Sequence, residues 1–139
     1  MDVYEALYTT RAMRRVKPDP IPDEVQRQIL DAAVRAPSGG NAQNWRFLLV
    51  DDPAVRAQLA PIYADCIARL WAGPYAPRIA EATASPESDD SRQFFRVQAS
   101  AQHLGDHFGE VPLLMFAFAQ HDPSGGSIFP AVWLSLIHI

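Results

Sequence analysis

Short apolar runs and helical repeats of apolar residues organise the chain into alternating elements. The runs WRFLLV at 45–50 and VPLLMFAFA at 111–119 are bounded by polar residues and predict buried strands. Helical spacing of apolar residues predicts helices over residues 2–9, 22–36, 53–71 and 91–107, and a new apolar segment begins at Ile128.

Two segments between these elements break the pattern. KPDPIP at 17–22 predicts an extended connection, because each proline removes a backbone N–H and disfavours helix at the residue before it. Residues 72–92 are rich in Pro, Ala, Ser and Asp without a sustained period, which predicts a variable surface excursion or lid. Nothing else in the pattern separates domains, so we expect residues 1–139 to form one domain.

Composition narrows the class of protein. Apolar residues make up 48% and charged residues 20% of the 139 residues, which is typical of a folded globular domain. The net charge of −4 argues against a nucleic-acid or anionic-membrane binder, which needs a broad basic surface. No basic leader with an apolar core begins the chain, and no apolar run is long enough to span a membrane, so we expect a cytoplasmic protein.

The single cysteine, Cys66, has no partner for an internal disulfide. It lies at helical spacing with Val55, Leu59, Ile62 and Leu70, which predicts that it is buried as a small hydrophobic residue.

The stretch APSGGNAQNW at 36–45 contains more side-chain hydrogen-bonding groups than a simple turn needs. Its order of helix, glycine loop and strand is the reverse of the phosphate-binding strand, loop and helix, which excludes a nucleotide cradle of that type. The Ser38 hydroxyl and the amides of Asn41 and Gln43 instead suit a flat ring edge that alternates C=O and N–H groups.

A cluster of basic residues upstream suits the opposite end of such a ligand. Arg11, Arg14, Arg15 and Lys17 fall within seven residues, and arginine binds phosphate oxygens through two parallel hydrogen bonds. Flavin mononucleotide (FMN) has both a ring edge of this kind and a phosphate. The alternative is a capped helix end beside a solvated basic surface.

The two blocks TTRAMRRVKPDPIPDEV and ILDAAVRAPSGGNAQNWRFLLVDD together resemble the N-terminal signature of the nitroreductase family of FMN-dependent oxidoreductases. HLGDHFGEVPLLMFAFA and IFPAVW resemble later passages of the same family, so the resemblance spans nearly the whole chain and is weakest at 72–92. It implies a three-layer α+β fold, in which helices flank a mixed, mostly antiparallel sheet.

The resemblance also implies a function and a set of cofactor-binding residues. NAD(P)H would reduce FMN, and the flavin would pass electrons to a nitroaromatic, a quinone or a related small acceptor, in a homodimer. No catalytic side chain is implied. Alternatives are a flavin-binding or storage module without turnover, and a flavin-destroying or dehalogenating relative. The implied cofactor-binding residues are Arg11, Ala12, Met13, Arg14, Ser38, Gly39, Asn41 and Gln43.

Several positions depart from the family pattern. Thr10 and Ala12 stand where members often have arginine and serine, and Asn44 replaces the usual proline before the tryptophan. Residues 134–139, LSLIHI, do not continue the family's helix, which predicts a C-terminally truncated member whose last six residues are foreign sequence.

A metal site is the competing interpretation at HLGDH. His103 and His107 share a helix face with Glu110 one turn further on, but no third ligand stands at motif spacing. We therefore expect no metal.

Overall fold

The computed structural model describes residues 2–137. Six helices and two strands form the regular structure of this range, and two single 3₁₀ turns cover Gly39–Asn41 and Phe108–Glu110. The elements in chain order are α1 (Val3–Thr9), α2 (Asp23–Ala33), β1 (Trp45–Val50), α3 (Pro53–Ala72), α4 (Ala76–Ala84), α5 (Asp89–Asp106), β2 (Leu114–Ala119) and α6 (Ile128–Ile137). The predicted α+β class, with an antiparallel sheet, is confirmed.

The elements group into two compact units. Of the described residues, the first unit contains 2–12, 19–50 and 113–137. The second contains residues 13–18 and 51–112. The first unit therefore carries the sheet with α1, α2 and α6, and the second carries α3, α4 and α5.

The sheet of the first unit has one packed face. β1 and β2 pair antiparallel with Trp45 opposite Ala119 and Phe47 opposite Ala117. Trp45 and Phe47 lie two residues apart and therefore point to the same side, where they pack with the buried Ala131 of α6. The other side is open: its most exposed large side chain, Phe118, is 53% exposed.

Small residues allow α2 and α6 to approach each other and the sheet. Ala33 and Ala131 are fully buried, and Ser135 donates its hydroxyl to the carbonyl of Val132 at 2.6 Å.

α2 begins after Pro22 with two acidic residues in its first turn, where the helix dipole favours negative charge. It ends at Ala33, earlier than predicted. The Ala36 N–H donates to the carbonyl of Ala33, three residues earlier, which is a tighter turn than the α-helix, and Pro37 disfavours helix at Ala36.

The second unit is built on α3 and α5. Gly105 of α5 lies against Ile67 of α3, which is buried, and Tyr63 of α3 stacks on Phe108 with ring centroids 4.2 Å apart. Arg56 donates to the carbonyls of Gly109 and Val111 and so fixes the turn that follows α5. The packed side of α3 is thus the side that carries Tyr63 and Ile67.

This arrangement makes the prediction for Cys66 wrong. The thiol is exposed, and Ile62 on the same side of α3 is 61% exposed. Helical spacing correctly placed Cys66 in line with other apolar residues, but α3 has a second apolar side, and that second side is the one that packs on α5.

Residues 72–92 contain a regular element that the sequence pattern did not predict. α4 occupies Ala76–Ala84, and its Ala82 is fully buried. Arg78 of α4 pairs with Glu81 at 3.0 Å and with Asp90 of α5, and its guanidinium lies 5.0 Å from the centre of the Phe94 ring. These contacts hold α4 against the start of α5, whereas a role as a lid stays a prediction.

Residues 134–137, the first four of the segment predicted to be foreign, belong to α6, where Leu134 packs against the core of the first unit. The remaining residues of that segment, 138 and 139, lie outside the described residues.

Candidate functional site

The loop that connects α2 to β1 is closed on itself by short-range hydrogen bonds. The Ser38 hydroxyl accepts the backbone N–H of Gln43 at 3.1 Å, and the Ser38 carbonyl accepts that of Asn41 at 2.9 Å. The N–H of Ala42 reaches the carbonyl of Gly39 at 3.1 Å. One loop therefore holds Ser38, Gly39, Asn41 and Gln43, the four residues predicted for the flavin ring.

Three residues of this loop have left-handed backbone conformations. The φ angles are 58° at Gly40, 55° at Asn41 and 51° at Gln43. Glycine adopts this region without strain and asparagine tolerates it, but glutamine rarely does. Residues kept in such conformations concentrate at binding and catalytic sites, where the surrounding structure holds them.

The two amides of the loop are joined and still open to a ligand. Gln43 Nε2 donates to Asn41 Oδ1 at 2.7 Å, and both residues are exposed. This single bond leaves the Asn41 NH₂ group as a donor and the Gln43 carbonyl as an acceptor. Exchanging O and N in both amides would again leave one donor and one acceptor, so the pairing presents both polarities in either orientation.

A second loop, between β2 and α6, supports the first. The Ser127 hydroxyl accepts the Gly39 N–H at 3.2 Å. Asp122 in turn accepts the N–H groups of Ser127 and Ile128 at 2.9 and 3.1 Å. These backbone hydrogen bonds lower the pKa of the Asp122 carboxyl, because they favour its charged form.

The two loops enclose a cavity of about 160 Å³. Among the residues that line it are Gly39, Asn44, Trp45, Gln120 and Asp122. The Asn44 carbonyl accepts the Gln120 N–H at 3.1 Å, one step beyond the last strand pair. Asn44, the departure from the family pattern, therefore lies in the wall of this cavity.

The basic segment lies in an extended stretch after α1. Arg11, Ala12 and Met13 are exposed, whereas Arg14 is half-buried. Arg14 lines a second cavity, of about 150 Å³, together with His103, His107 and Glu110. Arg14 makes no hydrogen bond or ion pair with any of residues 2–137.

The two histidines of this cavity stack on each other. Their ring centroids are 4.1 Å apart, and His107 Nδ1 lies 2.8 Å from the His103 carbonyl oxygen. Burial, together with the positive charge of Arg15 and the neighbouring His107, lowers the pKa of His103. Within residues 2–137, no group of three or more His, Cys, Asp or Glu side chains is arranged to hold a metal ion.

Sequence reasoning missed the supporting loop and the histidine pair as parts of these cavities. The segment HDPSGGS at 121–127 has the composition of an ordinary polar turn. No local capping signal indicates Asp122, because it stands six residues before Ile128, the first residue of α6, whereas a capping side chain directly precedes its helix. The proximity of His103 to Arg14 joins residues far apart in sequence, and no local pattern indicates it.

In the part of the chain that is described, no helix has the length and apolar character needed to cross a membrane.

Comparison with known proteins places these features in a family. The family model described as Nitroreductase family matches residues 7–138. The 5,6-dimethylbenzimidazole synthase of Rhodobacter capsulatus is 33% identical over 123 residues, which are 88% of this chain and 50% of that protein. An NADH dehydrogenase of Thermus thermophilus is 44% identical over 59 residues, 42% of this chain and 29% of that protein.

The fold is shared with solved structures as well. Oxidized iodotyrosine deiodinase bound to FMN and 3-iodo-L-tyrosine superposes with a TM-score of 0.71 at 22% identity, covering 97% of this chain and 67% of that one. The chain spans half or less of the length of the two curated relatives named above. With the family model matching almost its entire length, the chain belongs to the Nitroreductase family.

Proposed function

We propose that the chain binds FMN and is part of an oxidoreductase that passes electrons from NAD(P)H to a nitroaromatic, a quinone or a related small acceptor. Family membership supports the flavin, and the Thermus relative, which is named an NADH dehydrogenase, supports a nicotinamide donor. The homodimer rests on the resemblance and the cytoplasmic location on the sequence pattern, and both stay predictions.

The observation that carries this proposal is the amide pair of Asn41 and Gln43. A flavin ring presents neighbouring C=O and N–H groups along its pyrimidine edge, and the pair leaves one donor and one acceptor open beside each other. The left-handed backbone at both residues supports the same interpretation, because it sets both side chains before any ligand arrives. Ser38 and Gly39 hold the loop in this conformation.

The basic segment would bind the phosphate. Arg14 is half-buried without a partner among residues 2–137, and a guanidinium in that situation gains most from an anion with two acceptor oxygens. Arg11 would add a second cation, while Ala12 and Met13 have only backbone N–H groups to contribute.

When bound, FMN supplies the redox chemistry, accepting hydride and passing electrons on. The residues of this chain would bind and orient it, and none is proposed as a proton donor or base.

The test is flavin binding followed by reduction. The purified chain is incubated with FMN, and retained flavin is measured by its visible absorbance before and after adding NADH or NADPH without oxygen. Bleaching by either nucleotide, followed by recovery with a quinone or nitroaromatic, is the expected result. Flavin that stays oxidised would exclude the reductase and favour a storage module. Failure to bind flavin would contradict the proposal as a whole.

The dehalogenating and flavin-destroying alternatives are distinguished in the same sample. A dehalogenating relative would release halide from an iodinated or brominated aromatic once the flavin is reduced. A flavin-destroying relative would lose the flavin spectrum irreversibly in air after reduction. Turnover of a quinone or nitroaromatic with an intact flavin spectrum is expected here, and either other result would overturn the proposed reaction.

A further inference from the structure

The second cavity contains more groups that can bind an anion than Arg14 alone. Besides Arg14, its wall includes His103 and His107, which the family resemblance does not assign to the cofactor. His107 donates its Nδ1 proton to the His103 carbonyl, so its Nε2 is an acceptor in the neutral ring and a donor only when the ring is protonated. Val16, Pro18 and Leu104 complete much of the wall with apolar surface, which strengthens any charge interaction inside it.

We propose that Arg14, His103 and His107 form a site for a phosphate group that binds more strongly when His103 is protonated. An ion with two or more acceptor oxygens satisfies the guanidinium, which has no partner among residues 2–137. The His103 ring adds an N–H donor, and either histidine adds a positive charge when protonated. A metal ion fits poorly, because the arginine would repel it and no third ligand joins the two histidines among residues 2–137.

The charges around His103 determine the pH dependence. On α5 its neighbour is Asp106, and His107 follows directly after the helix. The basic segment contributes Arg14 and Arg15, and the turn after α5 contributes Glu110. Burial and the two cations Arg15 and His107 keep its pKa below the ordinary value, and Asp106 and Glu110 oppose them without reversing the shift.

The sign of the pH dependence follows from this balance. An empty site holds His103 largely neutral at neutral pH. A bound anion would favour the charged imidazolium and raise its pKa, so by linkage the anion binds more tightly as the pH falls through the His103 pKa.

Two sources can supply such a group, the phosphate of FMN or that of another phosphorylated ligand. The identification with FMN rests on the proposed function, whereas the site itself does not. Sulfate is the suitable probe for the site because its charge stays constant from pH 5 to 8, so that any pH dependence of its binding comes from the protein.

The experiment follows the four histidines by NMR. The ring resonances are titrated with pH at constant ionic strength, with and without sulfate, and His103→Gln and His107→Gln assign two of them. Sulfate should move the midpoint of His103 to higher pH and leave His121, which lines the other cavity, unchanged. Arg14→Ala should weaken sulfate binding by about tenfold or more, the loss expected for a charged hydrogen bond.

A matched control is Arg27→Ala, which removes an exposed arginine whose ion pairs within residues 2–137 are with acidic side chains of its own helix. It should bind sulfate as the original chain does. Far-UV circular dichroism of Arg14→Ala establishes that it is folded, and Arg14→Lys, which keeps the charge without the two-pronged geometry, should bind with intermediate affinity. A His103 midpoint that sulfate does not move would overturn the proposal.

FMN and riboflavin then identify the source. If FMN raises the His103 midpoint and riboflavin does not, the phosphate of the cofactor occupies the site. If sulfate raises it and FMN does not, the phosphate site stands, and the assignment of Arg14 to FMN under the proposed function is wrong.

Discussion

The Ser127 hydroxyl accepts the backbone N–H of Gly39 at 3.2 Å, across 88 positions of sequence. This bond joins the turn after β2 to the loop before β1. Within residues 2–137, no other hydrogen bond between these two loops involves a residue that is predicted to contact the flavin. The Ser38–Gln43 loop therefore depends on a distant turn for its position.

Ser127→Ala should loosen this loop without unfolding the chain. The Gly39 N–H loses its partner but remains near solvent, so the stability should fall by only about 0.5–1.5 kcal/mol. Amide hydrogen exchange at Gly39 should accelerate. Ser124→Ala is the control, because the Ser124 hydroxyl accepts from Gly126 and not from the flavin loop. Equal exchange in both variants would contradict the role of Ser127.

Asp122 should make the turn sensitive to acid. Its pKa is lowered by hydrogen bonds from Ser127, Ile128 and Gly126, so its stabilisation is full above the ordinary value of 3.8 and is lost as the pH falls through the lowered pKa. Asp122→Ala should lower the melting temperature by a few degrees at pH 7 and remove part of the loss of stability seen in acid. Thermal melts at pH 7 and pH 3 measure both effects. A variant that melts as the original chain does at pH 7 would contradict the stabilising role of Asp122 in this turn.

Arg14→Ala should weaken FMN by about 1.5–3 kcal/mol, the value for a hydrogen bond to a charged group, and leave riboflavin affinity nearly unchanged. The difference arises because only FMN has a phosphate. Isothermal titration with both flavins measures it, and Arg27→Ala is again the matched control. Equal losses for the two flavins would show that Arg14 does not contact the phosphate.

Asn41→Gly should weaken FMN and riboflavin alike, by about 0.5–1.5 kcal/mol, because it removes one amide from the ring edge. Glycine accepts the left-handed φ of 55° at this position, so the loop backbone is retained. Ala42→Gly controls for added flexibility, since Ala42 has an ordinary helical backbone with φ of −68°. Unchanged affinity in Asn41→Gly would remove the amide pair from the proposed site.

Two glycines should respond in opposite ways to alanine. A Cβ at Gly105 would meet Ile67 at 3.4 Å, an ordinary contact, and the helix gains from the change, so Gly105→Ala should be neutral or stabilise by up to about 1 kcal/mol. At Gly125, φ is +72° and a Cβ would overlap the Phe129 ring, so Gly125→Ala should destabilise. Urea unfolding of the two variants distinguishes them, and loss of stability in Gly105→Ala would contradict the α3 and α5 packing.

Local pattern predicted the strands well because their apolar runs are short and sharply bounded. β1 matches the predicted residues 45–50, and β2 begins at Leu114 within the predicted 111–119. Pro112 and the 3₁₀ turn before it account for the later start, because proline cannot donate to a strand ladder.

Features that depend on tertiary contacts could not be predicted from local apolar patterns. Periodicity placed Cys66 on an apolar side of α3 but carried no information on which side α5 covers. α4 escaped detection because its helix is held by Arg78 and its partners, not by a long apolar repeat. The cofactor-binding residues themselves stay predictions, and the structure adds the two loops and the histidine pair that surround some of them.

The left-handed run at Gly40, Asn41 and Gln43 limits how the loop can be reused in protein engineering. An isolated peptide of this sequence would rarely adopt three such residues within four positions, because glutamine rarely adopts this conformation and nothing in the free peptide holds it there. Transplanting the ten residues 36–45 into another scaffold would therefore transfer their sequence but not their backbone conformation. A graft that aims to bind a flavin must also include the turn from Asp122 to Ser127, which holds Gly39 in place.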